Sequence, residues 1–384
     1  MAEGPLIYII AGEPSGDALG APLMAEISRQ TRGAARFRGI GGDQMTVQGL
    51  DSLVPLSELS VMGLAEVVPR IPRILSLIRR TAADIRAHQP DLVVTVDAPD
   101  FCLRVVKKLR GAGIPVVHFV APTVWAWKPG RAKKIARLVG HLLALYPFEP
   151  PYFEREGLSC TFVGHPVVEG GADSGNGPGF RQAHGIAQEA PVICVLPGSR
   201  GTEVARHMPI FGQAIERLAG HSPGLRVILP TLESVGGMVS AGARSWPLQP
   251  IIVDGSEKYD AFAAAHVAIA ASGSVALELA AARLPTVTAY KTNPITAWLT
   301  RRMVQIRFAN LVNLLNDREV VPEFLFEDCT PGNLASAAER LLTDPNAARD
   351  QIEGMQNAIA RLNPDGDTPS RRAGRAVLDV IAGS

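Results

Sequence analysis

Cysteine is scarce in this chain, and its four residues, Cys102, Cys160, Cys194 and Cys329, form no C-x-x-C pair and have no histidine companion at zinc-ligand spacing. That excludes a disulfide-stapled or zinc-held scaffold and suits buried thiols in a reducing compartment. Net charge is also lacking: 38 Lys plus Arg against 37 Asp plus Glu leave +1. No global basic field exists to attract a polyphosphate backbone, so nucleic acid is not an expected partner. There is no apolar run of the roughly 18 residues a membrane-spanning helix needs. Nor does a basic segment precede the first apolar stretch at residues 6–11, which reads as a strand rather than a signal peptide and implies cytoplasmic residence. Apolar residues are nonetheless plentiful, at 47% against 20% charged, with a mean hydropathy of +0.13. That excess must fill cores or meet something apolar. The 384 residues suggest two domains, or three, at about 150 residues each.

Short β-branched runs alternate with helical segments almost throughout, the sequence form of βα units and a parallel sheet covered on both faces. The first half predicts strands at residues 6–11, 37–40, 91–96, 116–120, 142–145 and 161–163. Residues 168–188 hold a glycine-rich stretch without apolar periodicity and read as a flexible linker. Alternation then restarts, with strands expected at 192–196, 226–229, 251–253, 267–270 and 286–290 and a helical pattern at 205–219. The last fifty residues or so look helical, notably 334–342 and 373–381. The fold class expected is α/β: two Rossmann-like, doubly wound parallel-sheet domains facing an interdomain cleft, with ligands at the carboxyl ends of the strands.

Several strand ends carry candidate chemistry. After the first strand, Gly12-Glu13-Pro14-Ser15-Gly16-Asp17 lets backbone N–H groups approach a phosphate or sugar oxygen, or else is a tight turn with Ser15 or Asp17 capping a helix that starts near Ala18. Asp97-Ala98-Pro99-Asp100 follows the strand at 91–96, where a carboxylate suits a general base for a substrate hydroxyl or caps the helix near Leu103. Trp125 and Trp127, ahead of a basic run, either line a pocket or pack as core. His165, in a Gly-His-Pro turn, either donates to a ligand or is a hinge residue held by backbone bonds.

In the second half, Pro197-Gly198-Ser199-Arg200-Gly201-Thr202-Glu203 adds a guanidinium at a helix N-terminus, a setting that favours a diphosphate. Ser272-Gly273-Ser274 repeats the small-residue turn, and Glu278, one helical turn on, either accepts from ribose hydroxyls or makes a surface ion pair. Two phosphate-type turns without a G-x-G-x-x-G spacing point to a nucleoside diphosphate sugar rather than NAD.

Residues 59–78 carry Val61, Met62, Leu64, Val67, Val68 and Ile71, with Leu77 and Ile78 further on and arginines among them. An apolar face flanked by arginines suits an anionic lipid interface, and equally a core-facing helix with a solvated side; Pro69 and Pro72 should break its regularity.

Taken together, these motifs resemble one family, the bacterial lipid-A-disaccharide synthases, which are inverting GT-B glycosyltransferases. The matching pieces are residues 12–17, 97–101, 121–127, 147–149, 164–166, 196–200 with Glu203, 271–278, and Asn313-Leu314-Leu315 with Arg318, Glu319 and Val321-Pro322-Glu323. They run in family order over nearly the whole chain. Departures are Pro14, Cys102 and Ser274, where the family usually has Ala, Asn and Thr.

The resemblance implies transfer of 2,3-diacylglucosamine from UDP-2,3-diacylglucosamine to the 6-hydroxyl of 2,3-diacylglucosamine 1-phosphate (lipid X), giving a β-1,6 disaccharide phosphate and UDP. It implies Asp97 as general base and Arg200 as stabiliser of the departing diphosphate. Ser199, Arg200, Glu203, Ser272, Gly273, Ser274, Glu278, Asn313 and Glu319 would serve the donor. Ser15, Gly16, Asp17, Asp100, Trp125, Trp127 and His165 would serve the acceptor. Contact with the cytoplasmic leaflet of the inner membrane would fall on Val61, Met62, Leu64, Val67, Val68 and Ile71. No metal or other cofactor is expected. The domains would span 1–168, for the lipid acceptor, and 186–345, for UDP. Helices at about 350–384 would pack back on the first or on a partner, in a homodimer with exchanged C-terminal segments. A UDP-N-acetylglucosamine 2-epimerase and a non-catalytic, membrane-recruited lipid-binding protein are the alternative readings.

Overall fold

The structure, a computed structural model, describes residues 4–59, 64–126, 130–304 and 306–383, with the backbone alone for 64–70. It divides into two compact units, residues 1–166 with 362–384, and residues 167–361.

The first unit holds a seven-stranded, all-parallel sheet in the order β3-β2-β1-β4-β5-β6-β7. Its strands are β1 Leu6–Ala11, β2 Arg36–Ile40, β3 Leu50–Ser52, β4 Leu92–Val96, β5 Val116–Phe119, β6 His141–Ala144 and β7 Ser159–Phe162. Alternate side chains of β1 feed opposite faces: Tyr8 and Ile10 join one buried cluster, Ile7 and Ile9 the other. Both faces are covered by helices, which is why these strands are continuous apolar runs. The order reverses at β1, which pairs with β2 on one side and β4 on the other. Because Ala11 is in register with Val96, the chain leaves both strands at the same level, with Gly12 beside the turn at Asp97.

The second unit repeats the plan in a six-stranded parallel sheet ordered β10-β9-β8-β11-β12-β13. These strands are β8 Val192–Leu196, β9 Arg226–Pro230, β10 Ile251–Val253, β11 Val267–Ala271, β12 Thr286–Tyr290 and β13 Glu323–Leu325. Here the reversal lies between β8 and β11, and Leu196 is in register with Ala270.

Three expectations need correction. The segment at 168–188 is no flexible linker: it carries the helix Gly177–Ala183, capped by the Asn176 side chain on the Gly179 N–H. Its glycines serve close packing, since a Cβ at Gly175 would lie 2.1 Å from the Tyr259 carbonyl oxygen and one at Gly177 2.4 Å from that of Ala263. Arg181 is buried there and donates to the carbonyls of Ala187, Gln188, Ala190 and Ala264. Secondly, Pro69 and Pro72, expected to break the regularity of this stretch, lie within one continuous helix, Leu64–His88. Thirdly, that helix does not present all its apolar residues to one environment: Leu77 and Ile78 are core, whereas Ile71 and Leu75 are exposed. Among the membrane-contact candidates, Val61 and Met62 lie outside the described residues, as do the side chains of Leu64, Val67 and Val68.

Candidate active site

In the first unit, candidate chemistry gathers where the sheet reverses direction. Ser15 donates from Oγ to Asp97 Oδ2 at 3.2 Å, linking the turns that follow β1 and β4. Asp97 and Ala98 both have positive φ, 52° and 42°, a conformation that costs non-glycine residues about 1–3 kcal/mol each and gathers at functional sites. The backbone N–H of Asp97 is tied to the Phe119 carbonyl at the end of β5, which holds the turn in place. Neither aspartate caps the following helix, Pro99–Lys108, whose cap residue is Ala98 with no side-chain bond. Asp100 is exposed, 3.7 Å from Arg131.

The first helix, Pro14–Gln30, begins four residues before the expected start, and neither Ser15 nor Asp17 caps it. Asp17 is instead buried and accepts the N–H groups of Gly42, Gln44 and Met45. It thereby satisfies N–H groups at the start of the helix Asp43–Val47. Gly16 is buried close to the Val96 carbonyl. Beside the Asp97 turn lies a cavity of 460 Å³, lined by Gly12, Ala98, Phe101 and Arg104 and by Ile71, Ile74 and Leu75 of the long helix. One wall is thus apolar and continues onto exposed side chains.

Further along the same sheet edge, Trp125 stands edge-on to Phe148, with ring centroids 5.1 Å apart. Tyr146 stacks on Phe148 at 5.4 Å and on His165 at 5.5 Å. The Trp125 indole N–H donates to Glu149 Oε1 at 3.1 Å, and the N–H groups of Leu145 and Tyr146 donate to Oε2. Burial dominates these bonds and pushes the Glu149 carboxyl up to about 7. Burial likewise pushes His165 down to about 4, so it is neutral near pH 7. Trp125 and His165 therefore share one aromatic group; Trp127 lies outside the described residues.

The second unit has a cavity of 260 Å³ at the carboxyl ends of β8 and β11. Its walls include Pro197, Gly198, Ser199 and Glu203 from one turn and Ser272, Gly273, Ser274 and Glu278 from the other. Ser199 donates its backbone N–H to Glu203 Oε2 at 3.3 Å, and Arg200 reaches Glu203 Oε1 at 3.1 Å. Arg200 is 71% exposed at the start of the helix Gly201–His221, and its guanidinium rests on the Glu203 carboxylate.

Two residues here carry no signal in the sequence reading. Lys258, in the same cavity, places Nζ 2.7 Å from Glu278 Oε2. No glycine motif announces it, since it follows the short strand β10. His207 is buried, with Nδ1 2.8 Å from the Pro197 carbonyl and Nε2 accepting the Lys291 N–H at 3.0 Å. Those partners fix the tautomer, with the proton on Nδ1. The imidazole ties the turn after β8 to the end of β12.

Asn313 is not a free donor-site side chain. It is buried; its amide donates to the Val321 carbonyl and Glu323 Oε1, and its oxygen accepts the N–H groups of Val320 and Val321. Every bonding direction holds its own loop, so Asn313 fixes the position of residues 320–323. Glu319, in that loop, is exposed.

Comparison with known proteins matches residues 7–371 to the family described as lipid-A-disaccharide synthetase. A lipid-A-disaccharide synthase of Rhodospirillum centenum is 53% identical over 380 residues, covering 98% of this chain and 94% of that one. Another, of Paramagnetospirillum magneticum, is 49% identical over 380 residues, covering 98% and 97%. Among solved structures, the UDP-GlcNAc 2-epimerase of Neisseria meningitidis bound to UDP-GlcNAc superposes with a TM-score of 0.66 at 12% identity, covering 99% of this chain and 100% of that one. The calicheamicin glycosyltransferase CalG4 gives 0.61 at 16%, covering 100% and 99%. At such identities the structural likeness establishes the two-domain, parallel-sheet fold alone.

Proposed function

The chain belongs to the lipid-A-disaccharide synthase family, and from that premise we propose how its two units divide the reaction. It is a hexosyltransferase of lipid A biosynthesis and uses a UDP-sugar donor. The finer substrates proposed are UDP-2,3-diacylglucosamine as donor and lipid X as acceptor.

The observation that carries the reading is the 260 Å³ cavity where the second sheet reverses, with two small-residue turns on its walls and the Lys258–Glu278 pair beside them. Backbone N–H groups of such turns meet a diphosphate well, and a carboxylate held by an ammonium is ready to accept from ribose hydroxyls. Ser199, Ser272, Gly273 and Ser274 would hold UDP, and Arg200 would swing onto the leaving diphosphate. Glu203 anchors the Arg200 guanidinium until then.

In the first unit, Asp97 would take the proton of the acceptor 6-hydroxyl as its oxygen attacks the anomeric carbon and the bond to the UDP oxygen breaks. Inversion at that carbon gives the β-1,6 link. Ser15 would orient the Asp97 carboxylate. The apolar wall at Ile71, Ile74 and Leu75 suits acyl chains, and its exposed continuation suits the cytoplasmic leaflet of the inner membrane. Among the described residues no helix is long and apolar enough to cross a membrane. In a homodimer with exchanged C-terminal segments, the partner's last helix would take the seat that Pro369–Ala382 occupies on the first unit.

The epimerase reading rests on fold likeness at 12% identity, against 53% for a synthase, and a non-catalytic lipid binder would leave the UDP cavity without use. Mass spectrometry of products from UDP-2,3-diacylglucosamine and lipid X tests the proposal. A disaccharide phosphate with stoichiometric UDP is expected; an epimerised UDP-sugar, or no turnover with UDP bound, would overturn it.

A further inference from the structure

Exposed apolar side chains are concentrated on one helix of the second unit. Ile295, Trp298, Leu299 and Met303 are 74%, 53%, 44% and 44% exposed, all on the helix Pro294–Met303, whose buried residue is Ala297 alone. Their spacing places them on a single stripe, and a helix of a globular core turns such a stripe inward. Here it faces outward, while Asn293 holds the helix start by accepting the Thr296 N–H.

The surroundings say what would cover it. No Asp or Glu occurs in the sequence between Glu278 and Asp317, whereas Arg301, Arg302 and Arg307 fall there. The Arg302 guanidinium lies 4.1 Å from the Trp298 ring centre. Arg307 lies 4.9 Å from that of Phe308, and Arg301 pairs with Glu327. A short apolar stripe with a tryptophan and an arginine rim is the composition that settles in the plane of an anionic bilayer surface. A second copy of this chain, meeting the stripe across a two-fold axis, would bring like arginines together.

We propose that the helix Pro294–Met303 is a lipid-docking surface, seating the donor unit on an anionic membrane face. The proposal rests on the reading of the protein as a lipid-handling enzyme at the membrane, but concerns residues of the second unit, whereas Ile71 and Leu75 belong to the first.

The test is co-sedimentation of the full chain with phosphatidylcholine vesicles and with phosphatidylcholine/phosphatidylglycerol vesicles, alongside UDP affinity by calorimetry. Ile295→Ser/Trp298→Ser/Leu299→Ser should weaken partitioning into the anionic vesicles by at least about ten-fold. Arg301→Gln/Arg302→Gln should weaken it about five-fold per arginine at low salt. UDP affinity should be unchanged in both, showing an intact second unit. Wild-type sedimentation by the triple variant, with binding lost instead in Ile71→Ser/Leu75→Ser, would overturn this proposal and leave the membrane reading standing. A wild-type chain that binds neither vesicle would overturn both. If the triple variant abolished self-association while vesicle binding persisted, the face would belong to a second copy; equal binding to both vesicle types would remove the anionic partner.

Discussion

Ser15 Oγ and Asp97 Oδ2 lie 3.2 Å apart across the point where the first sheet reverses, although 82 residues separate them in the chain. The register of β1 with β4 brings the two turns level, and the left-handed backbone at Asp97 and Ala98 belongs to the same turn. A carboxylate fixed by one hydroxyl at a strained turn is positioned rather than merely present, which is what proton abstraction needs.

Asp97→Asn keeps size and can still accept from Ser15, but cannot take a proton. Turnover in a UDP-release assay with both lipid substrates should fall by about 10²–10⁴, with UDP affinity unchanged. Near-normal turnover would remove Asp97 as the base.

At Gly12 the neighbouring turn leaves no room, since a Cβ would lie 2.5 Å from that of Ala98. Gly12→Ala should therefore destabilise the first unit by about 1–3 kcal/mol and depress turnover, while calorimetric UDP affinity stays at the wild-type value. Unaltered thermal unfolding and turnover would show that the turns separate easily.

Lys258→Met leaves Glu278 without its 2.7 Å ammonium partner. UDP should bind about ten-fold more weakly, the equivalent of about 1.4 kcal/mol. Adding Glu278→Gln to that variant should cost little more, because the two side chains act as one unit. Additive losses in calorimetry would mean that they act separately.

Glu149 carries a pH signature. Its folded carboxyl is pushed by burial up to about 7 from an ordinary 4.5, so between those values the folded chain holds a proton that the unfolded chain has released. Its contribution to stability is full below about pH 4.5 and is lost as pH rises toward 7. His165, pushed down to about 4, acts with the opposite sign, so a difference between variants is needed. Chemical denaturation from pH 4.5 to 7 should show the wild type losing up to about 3 kcal/mol relative to Glu149→Gln. Parallel profiles would place the Glu149 carboxyl in its ordinary range.

Much of this architecture was legible because a parallel strand covered on both faces must be a run of apolar residues: β1, β8, β10 and β12 fall on the residues expected. Strands β3 and β13 were not: Leu-Asp-Ser and Glu-Phe-Leu hold no β-branched run, unlike the equally short edge strand β10, Ile-Ile-Val. At the site, turns of glycine and serine at strand ends were visible as local strings, and they do line one cavity in the second unit. Roles fixed by distant partners were not visible. Asp17 looks like part of its own turn until the backbone donors at Gly42, Gln44 and Met45 are seen around it. Nothing local in the sequence shows that Asn313 holds its own loop through four hydrogen bonds. Lys258 and His207 lie outside any motif, and only the fold brings them to the turns they serve.

The last helix, Pro369–Ala382, is part of the first unit, and the Gln30 side chain donates to the Arg371 carbonyl across 341 residues. The second unit is continuous in sequence, whereas the first is missing a wall until the final residues have been made. During synthesis the usual order is therefore inverted: the second unit can close while the first waits, its face of Leu23, Met24 and Ile27 without the cover of Ala373 and Val377. Closing so long a loop costs little more than closing a short one, because the entropy grows only with the logarithm of its length. The burden falls on the interval before closure, when that apolar face is open to a chaperone or to the same helix of a neighbouring chain.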